Sequence, residues 1–146
     1  QRKQTLAVAE SSTGGLISAS LLAVPGASAY YLGGTVIYTA RSRKQILGVT
    51  PEDVANLEPL TEAMALSFAQ VARRQLNATW AVAELGIAGP TPARYGHAPG
   101  LSIIAVSGPV ERAKIINTGS NNREENMWAF MQAAIELLTE VVSETD

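Results

Sequence analysis

The sequence predicts a three-layer α/β/α domain around a mixed, mostly parallel sheet, and three observations carry the prediction. Short apolar runs alternate with segments of helical period, as repeated strand-helix units require. The runs end in glycine-rich turns. Late in the chain, two β-branched runs are separated by Ser107-Gly108-Pro109, which marks one antiparallel pair within the sheet.

Thr5 to Ala9 is the first apolar run and reads as a strand that ends at Glu10-Ser11-Ser12-Thr13-Gly14-Gly15. Leu16, Ile17, Ala19, Leu21 and Leu22 then follow helical spacing until Pro25-Gly26 stops the helix. Gly33-Gly34-Thr35-Val36-Ile37-Tyr38 is the second predicted strand, because β-branched and aromatic side chains fit a pleated surface. Arg41 to Gly48 is expected to form a short basic helix. Thr50 and Pro51 mark another helix start, and Thr61-Glu62 opens a longer amphipathic helix to about Leu76. A third strand from Trp80 to Leu85 runs into Gly86-Ile87-Ala88-Gly89-Pro90. The loop that follows, with Pro92, Gly96, His97, Pro99 and Gly100, is long enough to point to function. Leu101 to Val106 and Arg112 to Asn117 form the hairpin, and Asn122 to Val142 closes the chain as a helix. No repeat, low-complexity stretch or interdomain linker interrupts this order, so residues 1–146 read as one domain.

Composition narrows what such a domain does. The chain has 146 residues, of which 47% are hydrophobic and 16% charged, a balance that favours a packed globule. With 11 Lys and Arg against 13 Asp and Glu the formal charge is −2, so no global field recruits nucleic acid or an acidic membrane, and any anion site is local. The absence of cysteine excludes disulfides, cysteine-ligated metals and thiol catalysis. It also fits a reducing compartment, and the expected location is cytoplasmic. No apolar run reaches the ~18 residues that cross a bilayer, and Gln1-Arg2-Lys3-Gln4 lacks a signal peptide's apolar stretch. Because the chain starts with Gln, an N-terminal segment is expected to be missing. A single histidine rules out a multi-histidine metal site.

The strongest candidate for chemistry is Glu10-Ser11-Ser12-Thr13-Gly14-Gly15, at the junction of a strand and a helix. Small residues there let backbone N–H groups converge on an anion, with the helix N-terminus adding partial positive charge. A serine hydroxyl at that point can act as a nucleophile, and the neighbouring amides can hold the oxyanion it creates. The plainer alternative is that Ser12 or Thr13 caps the helix while the glycines permit close packing. Tyr38-Thr39-Ala40-Arg41-Ser42-Arg43-Lys44 delivers a phenol and three cations that suit a phosphate, or equally a solvated helix face. Gly86-Ile87-Ala88-Gly89-Pro90 either wraps a ligand or simply bends the chain. His97 has no recognisable orienting partner nearby in sequence, which favours a solvent-exposed role over membership of a triad.

Taken in order, Ala9-Glu10-Ser11-Ser12-Thr13-Gly14-Gly15, Val24-Pro25-Gly26-Ala27-Ser28, Gly33-Gly34-Thr35-Val36-Ile37-Tyr38, Leu47-Gly48-Val49 and Gly86-Ile87-Ala88-Gly89-Pro90 resemble the CinA C-terminal domain family over nearly the whole chain. The resemblance implies a nicotinamide mononucleotide deamidase-like activity: hydrolysis of a carboxamide to a carboxylate and ammonia, without cofactor, in a homo-oligomer. It places the nucleophile on Ser11, a tyrosine on Tyr38 and the family's lysine on Arg43, with Lys44 one residue further on. Glu10, Ser12, Thr13, Gly14, Gly15, Gly34, Gly86, Ala88, Gly89 and Arg123 fall in the implied substrate-binding set. Arginine is a departure with consequences. Deprotonating a guanidinium at neutral pH costs roughly 8 kcal/mol, at about 1.4 kcal/mol per pKa unit, so Arg43 offers electrostatic help and no base. The segment after Pro90 and the segment around Arg123 and Met127 also depart from the family pattern, where a Lys-Pro-Val-Gly-Thr stretch and a second arginine are usual. The alternative expectation is therefore a catalytically impaired homologue that binds a nucleotide or phosphorylated metabolite.

Overall fold

The computed structural model describes residues 3–94 and 96–145. Tyr95, assigned from sequence to the long loop, lies outside the described residues, as do Gln1, Arg2 and Asp146. Five strands, β1 (Leu6–Glu10), β2 (Tyr31–Val36), β3 (Trp80–Gly86), β4 (Leu101–Ser107) and β5 (Arg112–Asn117), form one sheet in the order β2-β1-β3-β4-β5. β1 pairs in parallel with both β2 and β3, whereas β3-β4 and β4-β5 are antiparallel. The sheet is mixed, with its pairings divided evenly between the two kinds.

Helix α1 (Leu16–Leu22) and helix α4 (Arg123–Ser143) cover one face of the sheet, and helix α3 (Glu62–Leu76) covers the other. Alternation along the strands separates two cores. Leu6, Val8, Trp80, Val82, Ile104 and Val106 pack toward α1 and α4, with Ile17, Ala134 and Val141. Ala7, Ala9, Ala81, Ala83 and Ala105 face α3, which answers with Ala65, Phe68, Ala69 and Ala72. Small side chains on both surfaces bring α3 close to the sheet. Fully burying each larger aliphatic or aromatic side chain adds roughly 1.5–3 kcal/mol.

Two segments differ from the sequence expectation in ways that shape the site. β2 begins at Tyr31 and ends at Val36, two residues earlier than the periodicity indicates, because Leu6 pairs with Tyr31 and Glu10 with Val36. Tyr38 is thereby released from the strand. The expected basic helix is a single α turn, α2 (Ala40–Ser42), that widens into a π turn over Arg43–Leu47 and stops at Gly48. Thr39 caps it by accepting from Ser42 N. The wider turn changes the angular separation of neighbouring side chains, and both Arg43 and Lys44 reach the same cleft.

Candidate functional site

The site lies beyond the C-terminal ends of β1 and β3, where the register sets Glu10 directly beside Glu84. Both carboxyl groups are fully buried on the α1-α4 face. Buried charge survives only with hydrogen bonds or partners, and here the serine turn supplies the bonds. Glu84 Oε1 accepts from Ser11 N and Thr13 N, each at 3.0 Å, and lies 2.8 Å from Thr13 Oγ1. Its Oε2 is hydrogen bonded to Ser12 Oγ. Burial raises the Glu84 carboxyl above its ordinary range, against the lowering pull of its bonds to Ser12, Thr13 and Ser11.

Glu10 takes the place expected of an external anion. Its Oε1 accepts from Gly15 N at 2.9 Å, Ile17 N at 3.1 Å and Thr13 Oγ1 at 2.6 Å, while Oε2 accepts from Ser18 N at 3.0 Å. These bonds satisfy the exposed amides at the start of α1 and place negative charge at the positive end of the helix. The expectation that this N-terminus binds a substrate anion is therefore corrected: a side chain of the same chain occupies it. The helix is capped neither by Ser12 nor by Thr13; Gly15 is the cap, with φ +107°.

The amides assigned from sequence to an oxyanion hole are likewise mostly engaged. Thr13 N donates to Glu84, and Gly14 N donates to Ser11 O at 3.2 Å. Among the described residues, Ser12 N and the hydroxyl of Ser11 have no hydrogen-bond partner.

Above this floor opens a cleft of about 1110 Å³. It brings together Ser11, Ser12, Tyr38, Arg43, Lys44, Gly86, Ala88, Gly89 and Arg123, which the sequence reading assigned to one site. Glu10, Thr13, Gly14, Gly15 and Gly34 do not line it. Glu10 and Thr13 lie beneath it, Gly15 starts α1, and an added Cβ at Gly14 would meet Met127 Cε at 3.3 Å. A Cβ at Gly34 would stand 2.7 Å from Ser18 Oγ and 3.1 Å from Val8 Cβ, so its lack of a side chain serves packing against α1.

Arg123 braces the cleft from the start of α4. Nη1 donates to Gly89 O at 2.6 Å, and Nη2 donates to the Tyr38 phenol at 3.0 Å. Arg43 is half-buried, stacked with its guanidinium 5.3 Å from the Phe68 ring centroid and donating Nε to Ile37 O at 3.3 Å. Lys44 is exposed on the cleft wall. His97 is exposed and does not line the cleft. Among the described residues, no group of three or more His, Cys, Asp or Glu side chains is placed to hold a metal ion.

Two residues with a part in the site escaped sequence reading. Glu84 is the one charged residue of Trp80-Ala81-Val82-Ala83-Glu84-Leu85, and a carboxyl in an otherwise apolar strand was a signal open to use. Asn126, buried in α4, donates to Ala88 O at 2.9 Å and to Ser120 O at 2.8 Å, fixing the glycine turn of the cleft wall. Nothing in its sequence setting marks it.

A mixed five-stranded sheet with a serine turn over its strand ends defines a class of α/β protein, and comparison assigns the family. The family model described as CinA C-terminal domain matches residues 1–142, so the chain belongs to that family. It is 40% identical over 124 residues to a CinA-like protein of Sulfurihydrogenibium, covering 84% of this chain and 31% of that protein. It is 41% identical over 108 residues to a CinA-like protein of Synechococcus, covering 74% of this chain and 26% of the relative. The chain thus spans about a quarter to a third of the length of these relatives. Among solved structures, a competence/damage inducible protein from Agrobacterium tumefaciens superposes with TM-score 0.85 at 31% identity, over 94% of this chain and 85% of that one. No helix among the described residues is long and apolar enough to cross a membrane.

Proposed function

We propose that the protein is an amidohydrolase that converts the carboxamide of a nicotinamide mononucleotide-like nucleotide to a carboxylate and ammonia, with Ser11 as nucleophile. One observation carries this reading: the Ser11 hydroxyl, unengaged by any described residue, lies at the cleft floor on a turn anchored to Glu84 through the amides of Ser11 and Thr13. A nucleophile held this way is preorganised without being spent on a protein partner. Attack of Ser11 Oγ on the carboxamide carbon gives an oxyanion within reach of the one uncommitted amide of the turn, that of Ser12. Loss of ammonia leaves an ester on Ser11, and water releases the carboxylate.

Tyr38, Arg123 and Lys44 supply the polar wall that a nucleotide phosphate requires, Arg123 through its fixed fork and Lys44 as a mobile point charge. In its neutral form, and then not as a charge on the phosphate, Lys44 is the cleft-lining amine that can take the Ser11 proton, which a guanidinium cannot. A cytoplasmic, self-associating protein is part of the same proposal.

The test is direct. Purified protein incubated with nicotinamide mononucleotide is expected to release ammonia, and Ser11→Ala to release none above background. Equal release by both would end the assignment of Ser11.

A second reading has its own observation. Arg43, at the position implied for the family's lysine, is stacked on Phe68 and bonded to Ile37 O, a structural arrangement with no proton to accept. On this reading the cleft binds the nucleotide without turnover, and calorimetry shows saturable binding with no product.

A further inference from the structure

The paired carboxyl groups under the serine turn leave one feature unexplained: which of the hydrogens between them and the cleft belongs to which oxygen. Thr13 Oγ1 stands 2.6 Å from Glu10 Oε1 and 2.8 Å from Glu84 Oε1, yet a hydroxyl has one hydrogen to give. Two fully buried carboxyl groups of like charge thus meet at one hydroxyl, and sharing a site in this way favours the neutral form of one of them. No described cation offsets them, since neither carboxyl forms an ion pair among the described residues. The groups that face Glu84 are Glu10 from β1, the hydroxyls of Ser12 and Thr13 from the turn, Ile104 opposite it on β4, and Phe130 from α4. Glu10 is the sole other titratable group in that set, and it carries the same sign.

The two oxygens of Glu84 are not equivalent. Oε1 receives two backbone N–H groups that occupy its lone pairs, whereas the hydrogen-bond partner of Oε2 among the described residues is Ser12 Oγ alone. A proton on this carboxyl therefore belongs on Oε2, and Ser12 Oγ then accepts it. Ser12 also lines the cleft, so with that bond reversed its own hydrogen is free to point there.

We propose that Glu84 is held as a neutral carboxylic acid beneath the serine turn, donates to Ser12 Oγ, and so makes the Ser12 hydroxyl a hydrogen-bond donor to an anionic oxygen of the substrate. The last step rests on the amidohydrolase reading; the neutral acid does not. Glu84 is a positioning residue acting through Ser12. It compensates for the amides of Thr13 and Gly14, which internal bonds remove from oxyanion duty. Donors aimed at developing charge in a water-poor site are the strongest class of transition-state contact. A buried acid kept neutral so that a donor faces the substrate is an arrangement enzymes use. The desolvation of Glu84 acts in the same direction.

Infrared spectroscopy of the wild-type protein and Glu84→Gln tests the acid without reference to activity. The carboxamide that Glu84→Gln introduces keeps an acceptor for the two backbone N–H groups and a donor toward Ser12, so the variant copies the protonated form and is expected to fold. At pH 7 the wild type should show the C=O stretch of a protonated carboxyl, absent from Glu84→Gln; its absence from the wild type overturns the proposal. Thermal denaturation of the two proteins across pH is the second readout. The wild type should lose stability as pH rises above the ordinary carboxyl range while Glu84→Gln holds level, and parallel profiles overturn the proposal. For the donor role, Ser12→Ala should lower kcat by about 10²–10³-fold, and the alkaline fall of wild-type kcat should disappear in Glu84→Gln. If the wild type releases no ammonia, the amidohydrolase reading fails while the infrared band still decides the acid. If it releases ammonia and Ser12→Ala is equally fast, the amidohydrolase stands and the donor role falls.

Discussion

Beneath the serine turn, Glu10 and Glu84 are fully buried, and their oxygens are hydrogen bonded to backbone amides and to the hydroxyls of Ser12 and Thr13. Above them, the rim of the same cleft is built the other way. Tyr38 is 57% exposed, Lys44 is exposed, and Arg123 spans the opening with two bonds. The floor is organised by its own hydrogen bonds, whereas the rim presents polar groups to solvent. Mutation at the floor should therefore cost stability, and mutation at the rim should cost affinity.

Glu10→Ala should disrupt the floor most. It leaves the Gly15, Ile17 and Ser18 amides without their acceptor and removes the counter-charge at the start of α1. The expected loss is about 3–5 kcal/mol, seen as a fall in Tm of about 10 °C. A fall under about 2 °C would mean that solvent or a rearranged turn does the capping.

Gly34→Ala comes next, because the new Cβ would press on Ser18 Oγ, Tyr31 Oη and Val8 Cβ at 2.7, 2.8 and 3.1 Å. An overpacked site of this kind costs about 1–3 kcal/mol with the cleft itself untouched, so ligand affinity should follow folded fraction alone. An affinity loss in fully folded protein would put Gly34 back in the binding site.

The floor should also show itself through pH. Burial raises the Glu84 carboxyl above its ordinary value of 4.5. As pH rises, the unfolded chain releases this proton first, while the folded state still holds it. The stability contributed by Glu84 is fully present below about pH 4.5 and is lost as pH climbs through the folded value. Denaturant midpoints should decline over that range, and a rise would contradict the desolvation argument.

At the rim, Arg123→Ala and Tyr38→Phe should shift stability by less than about 1 kcal/mol while weakening nucleotide binding about tenfold, read by calorimetry. The smallest structural effect is expected from Lys44→Ala, within about 0.5 kcal/mol in stability. If that substitution abolishes ammonia release and Arg43→Lys changes nothing, the base has moved one residue along the chain. A gain of activity in Arg43→Lys instead marks the natural protein as impaired.

Much of the fold was legible because periodicity is local. The apolar runs, the Pro25-Gly26 break, the Ser107-Gly108-Pro109 turn and the helix start at Thr61 each announce themselves within a few residues. The end of β2 was misplaced because pairing with β1, and not β-propensity, decides where the strand stops. The same division runs through the site. Ser11, Tyr38 and Arg123 stand out as motif residues, whereas the role of Glu84 depends on contacts to residues 71 to 73 positions earlier in the chain, which no local pattern encodes. The helix N-terminus invited an anion on general grounds, and only the packed structure shows that Glu10 already fills it.

Quenching the protein during turnover of nicotinamide mononucleotide, and mapping the modified peptide by mass spectrometry, would put the nucleophile itself on trial. The expected result is an acyl adduct on the Ser11 peptide, absent from Ser11→Ala along with ammonia release. Ammonia released at an undiminished rate by Ser11→Ala, with no adduct on that peptide in the wild type, would contradict Ser11 as the attacking group.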